Sequence, residues 1–488
     1  MKRFIVLLLV VCTAVSYSFS RGRLSDEQDS RSNQKVEPFR TNGTNPHNSI
    51  FSYHDEKSIF VIHAKKGDSS SAGNSLPKID DFILNFSLAL GNADTFSLPS
   101  NKEEIVAPQG DKKYFRPAWE ITRLNFIVWA FDRYILRGSW TNISFESISD
   151  NLRSGLTWDY DDFGTNHFGH AYHGAMYHSI ARAHGHSFFE SSIYTLLGSL
   201  TWEFLWESEL PGKNDSLLST LGGMNLGEAL FRIADLVTYE NATGLRRTLG
   251  KSLKFLINPV CSLKESSENH FYSLRMPLGA YHSSDDMSAL SFSTQLEYKD
   301  IFNKDSTKIN PYDWFSFDMR LGINNTGIRD PEIRTTGLLF GKKYNQALAG
   351  IFGLFDYINT HVAEQISAVG FGPGFVTTSP PQADSYFNST GVLSFVFGSS
   401  SASVDFYHPR FVKESNDPYH FGPGILGRLK FELGKKSLGS FQTSFSQYWV
   451  HSVIADANEF MSQYTLESHV TLRNLYVCLT DTGFMNSD

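Results

Sequence analysis

The chain has 488 residues, with 43 Lys and Arg against 51 Asp and Glu, a formal net charge of −8, and 14% aromatic residues. A mildly acidic chain lacks the positive field that holds a nucleic-acid backbone, so no nucleic-acid partner is expected. Its length allows two or three domains with a sizeable core, which excludes wholesale disorder.

The first 20 residues are typical of a bacterial signal peptide. Two basic residues precede an apolar run over 4–15 that is too short to cross a bilayer, and small residues follow at 18 and 20. We therefore expect export and cleavage after Ser20. Residues 21–115 are predicted to be a polar tether and a poorly defined segment, since the first part has too few apolar residues to order itself. Cys261 and Cys478 are compatible with one disulfide or with two separate thiols.

Residues 116–250 are predicted to form a helical domain. Pro117 opens a run that is apolar on nearly all sides and ends near Gly138, and such a helix is buried or faces a membrane. Three more helices are predicted over 170–183, 188–207 and 216–236. Asn214, Asp215 and Ser216 supply N-cap chemistry for the last of them. No apolar run is long enough to span a membrane as a helix.

Residues 285–480 change to a period of two. Apolar residues occupy every second position in 314–325 and 425–433, and similar runs recur at 291–299, 333–344, 349–359, 365–375, 391–407, 440–451 and 463–478. Several runs reach the 9–11 residues of a transmembrane strand. The pattern fits a soluble sandwich as well, but the strand length and the aromatic content favour a barrel. The predicted fold class is α+β, an apolar helical segment followed by an antiparallel β-barrel of the outer-membrane type.

Candidate functional residues concentrate in the helical domain. Six of the 16 histidines lie between His167 and His186, and Asn166, His170 and Tyr177 share one helix face. The H-E-x-x-H pattern of a zinc site is absent, so the sequence shows no evident cofactor, while a divalent metal is compatible with the cluster. Structural histidines that form hydrogen bonds are the alternative.

Acidic residues on apolar helices are the sharper signal. Glu203 and Glu207 lie four apart on a helix rich in Leu, Phe and Trp, where a carboxylate is costly unless it is paired, metal-bound or protonated. Together with His170 and Asp215 they are the predicted catalytic residues, acting as general base, orienting group or ligands. The alternatives are a solvent-facing stripe for the glutamates and a cap for Asp215.

Supporting roles are predicted for Asn166, Tyr177 and Arg182, and for Glu228 with Arg232. The spacing of the last two residues is also that of an ordinary helical ion pair.

These residues belong to a longer series that resembles a bacterial family of uncharacterised envelope proteins, a domain of unknown function. The resemblance covers residues 119–247 and rests on Trp158-Asp159, Asp161-Asp162-Phe163, Thr165-Asn166, His170, Gly174, Tyr177, Ala181-Arg182, Gly185, Gly198-Ser199, Trp202-Glu203, Glu207, Asn214-Asp215, Thr220, Gly222-Gly223, Gly227-Glu228 and Arg232. Ala171 departs from it, because the family is expected to have Pro after the His. The resemblance implies an outer-membrane setting and a β-rich carboxyl half, and it implies no reaction.

The sequence thus predicts an outer-membrane barrel protein with membrane lipid as its partner. Helices would pack at the periplasmic mouth of the barrel or within its lumen. A buried His/Glu/Asp site would act as a hydrolase or transferase on an envelope lipid or glycan. The alternatives are a structural or channel-forming outer-membrane protein without enzymatic activity and a soluble exported binding protein. The sequence does not fix the oligomeric state.

Overall fold

A computed structural model describes the helical and strand-forming parts of the chain, and the predicted signal peptide and tether lie outside the described residues apart from their last two positions. The described residues are 114–158, 163–236, 243–260, 274–275, 278–283, 286–297, 312, 314–324, 327–328, 332–359, 364–379, 383–402, 420–435, 437–451, 460–472 and 475–486.

The amino-terminal half of the described chain is helical. The α-helices are α1 (Phe115–Phe131), α2 (Phe145–Ser154), α3 (His170–Ala183), α4 (Phe188–Leu205), α5 (Lys213–Leu217), α6 (Gly223–Leu236) and α7 (Gly244–Ile257). Shorter turns of π-helix cover Asp132–Leu136, Thr165–Gly169 and Leu218–Gly222, and a 3₁₀ turn covers Ser139–Thr141.

The carboxyl-terminal half consists of strands. They are β1 (Leu274–Arg275), β2 (Leu278–Ser283), β3 (Asp286–Glu297), β4 (Phe315–Asn324), β5 (Gly327–Ile328), β6 (Glu332–Tyr344), β7 (Ala347–Asn359), β8 (Glu364–Thr377), β9 (Ser385–Ala402), β10 (His420–Lys435), β11 (Gly439–His451), β12 (Phe460–Leu472) and β13 (Leu475–Asn486).

Several predicted helices are confirmed with small changes at their ends. The helix over 170–183 has the predicted bounds, and Ser187 and Glu190 form a capping box that begins α4 where expected. The cap prediction at 214–216 is wrong. The short helix α5 already begins at Lys213 after Gly212, and no side chain caps it, so Asp215 lies inside the helix.

Two helices meet at an unusually close crossing. α3 crosses α6 where Gly174 faces Gly223, so that a Cβ on Gly223 would lie 2.6 Å from the Cα of Gly174. A Cβ on Gly174 would overlap the carbonyl oxygen of Ser219, in the π-helical turn before α6. Glycine at both positions is therefore what lets the two backbones touch.

The strands form one curled sheet with antiparallel pairing between consecutive strands from β6 to β13. Strands β6 to β12 are seven consecutive strands of 13 to 18 residues. A bulge at Leu339 shifts the register between β6 and β7. The predicted combination of helices with a curled antiparallel sheet is confirmed.

A polar network occupies the concave side of the curl. Arg428 on β10 forms an ion pair with Asp356 on β7 and donates hydrogen bonds to Thr336 (3.2 Å) and Ser446 (3.1 Å). Tyr448 on β11 donates to Asp356 at 2.6 Å. Because β7 does not pair with β10 or β11, these side chains can meet only on the concave side of the sheet. An apolar cluster that includes Phe352 and Leu426 fills the space beside them.

The convex side is apolar and exposed. On β10 the buried residues Leu426, Arg428 and Glu432 alternate with exposed apolar residues such as Leu429 and Phe431. The large exposed apolar residues of these strands are Phe340, Tyr344, Phe371, Phe375, Phe387, Leu393, Phe395, Ile425, Leu429, Phe431, Leu433, Phe441, Phe445, Leu466 and Val470, the convex belt. The apolar face that the alternation predicted therefore lies on the convex side of the sheet.

The helices pack on the convex side, next to the convex belt. Tyr357 follows Asp356 on β7 and points the opposite way, where its ring lies 5.6 Å from Phe163 and 5.1 Å from Phe168. Tyr312 donates a hydrogen bond of 2.6 Å to Asn225 on α6. The expectation that the helices lie within the lumen is therefore wrong for these contacts, and several of the sheet residues in contact with the helices, such as Tyr357 and Phe421, lie near one end of their strands. Among the described residues, no helix is both long and apolar enough to cross a membrane.

The close helix crossing yields a test of the fold. Gly174→Ala should lower the free energy of unfolding by about 1–3 kcal/mol, the usual cost of overpacking. The added methyl group meets backbone atoms, which cannot move aside as a side chain can. Urea unfolding in detergent micelles measures the effect. Gly169→Ala is the matched control, since its Cβ would lie 3.8 Å from its nearest neighbour, the oxygen of Gly164. Equal stability of the two variants would contradict the crossing.

Candidate functional site

His170 and Asp215 form the centre of a buried polar cluster between α3 and α5. The Nε2 of His170 lies 3.7 Å from Oδ1 of Asp215, and its Nδ1 lies 3.4 Å from the hydroxyl of Ser219. All three residues are buried. The π-helical turn Leu218–Gly222 places Ser219 here, and such turns are frequent at functional sites. The predicted pairing of His170 with an acid is therefore present in the geometry.

Two asparagines extend this cluster. The side-chain amide of Asn214 donates to Asn166 at 2.8 Å and to Asp215 at 3.0 Å. Asn166 lies in the π-helical turn Thr165–Gly169, which leads into α3, and Ser219 lies in the π-helical turn Leu218–Gly222, which leads into α6. Both helices therefore begin with a π-helical turn at this cluster. Asn166 thus joins the cluster through its hydrogen bond with Asn214.

Glu203 approaches the same cluster from α4. Its side chain is 1% exposed, and its Oε2 accepts a hydrogen bond of 2.8 Å from the backbone N–H of Gly212. A Cβ on Gly212 would overlap the carboxylate of Asp215, so Gly212 lies between the two carboxylates. The structure therefore brings together His170, Glu203 and Asp215. A solvent-facing stripe, the alternative for Glu203, is wrong.

Glu207 is placed differently from its predicted partner. α4 ends at Leu205, so Glu207 lies beyond the helix and is only partly buried. Its carboxylate accepts a hydrogen bond from the indole N–H of Trp202, and its backbone oxygen accepts one of 3.0 Å from Asn151 on α2. The predicted shared helix face of Glu203 and Glu207 is wrong. The contacts of Glu207 hold the turn after α4 against α2.

Glu228 is the centre of a second buried cluster. Its fully buried carboxylate contacts Arg182 at 2.8 Å, Arg232 at 2.7 Å and His178 at 3.1 Å. Burial alone would raise the pKa of Glu228, but Arg182, Arg232 and the hydrogen bond from His178 hold the pKa well below its ordinary value of 4.5. Glu228 and Arg232 are thus more than a helical ion pair, because Arg182 and His178 tie them to α3.

Tyr177 belongs to a third group of contacts. Its hydroxyl donates to the side chain of Asn125 on α1 at 2.5 Å and lies 2.9 Å from Nε2 of His173. Burial raises the pKa of Tyr177, and burial together with the nearby His170 lowers the pKa of His173 to about 3. Both side chains are therefore neutral near pH 7. Tyr177 joins α3 to α1, and the nearby Glu203 and Glu207 add to the rise of its pKa.

The comparisons with known proteins bear on this helical region. Residues 155–260 match the model of DUF3943, a domain of unknown function. No curated protein and no solved structure matches the chain. The matched region contains all nine predicted site residues and both of their buried ionic clusters. Asn125, the partner of Tyr177, lies before it.

Several residues of these clusters, among them Ser219, Gly212 and Asn125, were not predicted as site residues. No sequence pattern identifies Ser219 or Gly212. Ser219 reaches His170 because a π-helical turn places it there, and Gly212 matters because its backbone lies against the carboxylates of Glu203 and Asp215. Asn125 could have been found, since it is an amide in an apolar helix, the same signal that identified Glu203. Within the described residues there is no group of three His, Cys, Asp or Glu side chains arranged to hold a metal ion.

The Glu228 cluster predicts how stability depends on pH. Because the pKa of Glu228 is lowered on folding, its contribution to stability is present above its unfolded pKa of about 4.5 and is lost as the pH falls further. Glu228→Gln leaves two partly buried arginines without their carboxylate. We expect a loss of about 3–5 kcal/mol at pH 7 and a flatter decline of the unfolding free energy below pH 5.

Thermal unfolding in detergent between pH 3 and pH 8 measures this dependence. Glu120→Gln is the control, because Glu120 is a partly exposed partner of His184 and should cost less than about 1 kcal/mol. If Glu228→Gln has the stability and the pH profile of the wild type, the cluster does not stabilise the fold.

Proposed function

We propose that this chain is an outer-membrane protein whose strands span the bilayer as a closed β-barrel. The observation that carries the proposal is the placement of polarity on the strands, with Arg428, Asp356 and Glu432 on the concave side and the convex belt on the other. Lipid solvates an apolar surface, whereas a soluble sandwich would place that surface inside. Strands of 13 to 18 residues exceed the 9–11 that a tilted transmembrane strand needs.

The pairing of the outer strands supports closure. β13 pairs in parallel with β2, β2 pairs with β3, β3 pairs with β4, and β4 pairs with β6, where the run of long strands begins. A sheet without free edges satisfies every backbone hydrogen bond internally, and this is the condition for crossing lipid.

The contents of the concave side favour a structural lumen over a channel. The Arg428 network links β6, β7, β10 and β11 across the curl, and the apolar cluster around Phe352 packs beside it. A conducting pore instead needs a continuous water-filled path lined by polar groups. We therefore place any activity in the helical domain.

A charge in the convex belt tests the membrane placement. Leu429→Arg should cost about 2–4 kcal/mol of folding free energy in bilayers if Leu429 faces the hydrocarbon core. Leu438→Arg is the matched control, because Leu438 is 65% exposed in the turn between β10 and β11 and should tolerate the charge. Urea titration of refolding into vesicles gives both free energies, and membrane fractionation with a heat-modifiable gel shift checks the location. Equal costs, or recovery in the soluble fraction, would contradict the barrel.

For the helical domain we propose a hydrolase or transferase activity on an envelope lipid or glycan. The convergence of His170, Asp215 and Glu203 around Gly212 supports it, because a histidine beside a carboxylate can accept a proton while the carboxylate stabilises the imidazolium. His170 is the proposed general base and Asp215 its orienting partner. Glu203 holds the Gly212 turn and so positions Asp215.

The second candidate is a purely structural role for the helical domain. It is favoured by the Glu228 cluster and by the Tyr177 contacts, in which the polar groups join α3 to α1 and α6. The two roles predict different results for a His170 variant that still folds. An enzyme loses its activity, whereas a structural domain keeps its function.

Lipid analysis separates the two roles. His170→Ala and Asp215→Asn should reproduce the envelope lipid and glycan profile of a strain that lacks the gene, while the protein keeps its amount and its heat-modifiable mobility. His184→Ala is the control, since His184 pairs with Glu120 away from the cluster and should keep the wild-type profile. Wild-type profiles in both site variants, with normal folding, would exclude the activity and leave the structural role.

A further inference from the structure

The polarity of α4 is inverted relative to a helix of a soluble domain. Its buried positions are Phe188, Ser191, Thr195, Gly198, Ser199, Trp202 and Glu203, mostly small or polar residues. Ile193 is 59% exposed and Leu197 53% exposed, and Phe189, Leu196 and Leu205 are exposed beside them. All of α4 lies in the described part of the chain, and no charged side chain is among its exposed residues. In water, such a helix would bury the opposite face.

The neighbouring helix α1 is mixed. Pro117, Ile121, Asn125 and Phe131 are buried, and Arg116 and Arg123 are exposed beside Trp119 and Phe126. α1 and α4 lie side by side, because Tyr194 donates to the backbone oxygen of Tyr114 at 2.6 Å and Asn125 lies 3.4 Å from Thr201. The exposed apolar residues of α4 are Phe189, Ile193, Leu196, Leu197 and Leu205. We call them the helical apolar face.

Aromatic residues with polar edges lie at both ends of this helix pair. At the end of α4, Trp206 packs against Phe126 and Trp129, and Trp129 also contacts Tyr134. Near the start of α1, Tyr114 meets Tyr194. Trp and Tyr are enriched where a protein surface passes from hydrocarbon to water, because their rings have an apolar body and a polar edge.

We propose that the helical apolar face lies against the acyl chains of the same membrane that surrounds the strands. This inference rests on the proposed outer-membrane placement of the convex belt and extends it to the helices. The helices pack on the convex side of the sheet, the side that carries the belt. Aromatic residues with polar edges lie at both ends of the helix pair, as at a membrane surface.

Spin labels at single cysteines test the proposal in the full chain. With Cys12, Cys261 and Cys478 replaced by Ser, labels are attached to Ile193→Cys and Leu197→Cys on α4, to Leu393→Cys on the convex belt and to Asp150→Cys on the exposed surface of α2. The protein is refolded into phosphatidylcholine vesicles, and collisions with oxygen and with a water-soluble nickel complex are compared. We expect an oxygen-to-nickel ratio several-fold higher at Ile193, Leu197 and Leu393 than at Asp150.

The outcomes separate the inference from the proposed function. A high ratio at Leu393 with a low ratio at Ile193 and Leu197 overturns the inference and keeps the barrel in the membrane. A low ratio at Leu393 overturns the proposed function itself. Protection of both α4 labels from oxygen and nickel alike means that protein covers the face, and this also overturns the inference. A disulfide-linked dimer of Ile193→Cys would then identify a second copy as the cover.

Discussion

The main physical constraint on this structure is that its polar groups are buried while much of its large apolar surface is exposed. A buried polar group is costly unless it has a hydrogen-bond or ion-pair partner, so another element of the fold must supply that partner. Arg428 forms an ion pair with Asp356 and donates hydrogen bonds to Thr336 and Ser446, which lie on three other strands. The carboxylate of Glu228 contacts two arginines and a histidine, which lie on two helices. The polar contacts therefore connect elements of the fold beside apolar clusters, one of which joins the helices to the sheet.

The helical domain follows the same rule on the outside of the sheet. Its polar residues point inward and are joined by short hydrogen bonds, and its crossing at Gly174 and Gly223 brings two backbones together without large side chains. Small residues at a helix crossing and polar side chains between helices are typical of proteins that fold in lipid, because burial of apolar groups drives little there. The candidate site is one of these buried groups, distinguished by a histidine between an aspartate and a serine hydroxyl.

The predictions from sequence succeeded where the signal was local. The bounds of α3 were predicted because glycine and polar residues interrupt an apolar run, and the strands were predicted because alternation has a period of two. Predictions that needed a partner failed or were incomplete. Asp215 looked like a cap and lies inside a helix beside His170, and Glu207 looked like the neighbour of Glu203 and lies beyond the helix end. Glu228 was seen with Arg232 only, since Arg182 and His178 lie far from it in the sequence.

The sequence alone determined the element types, the order of helices before strands, and the presence of two faces of opposite polarity on the strands. It also marked Glu203 and Glu207 as costly carboxylates that needed partners. Only the tertiary structure decided which face of each strand turns inward, which helices lie on the convex side and which partner each buried charge has. The reason is that alternation specifies two faces without specifying the curl of the sheet, and a buried charge is satisfied by whichever element the fold brings to it.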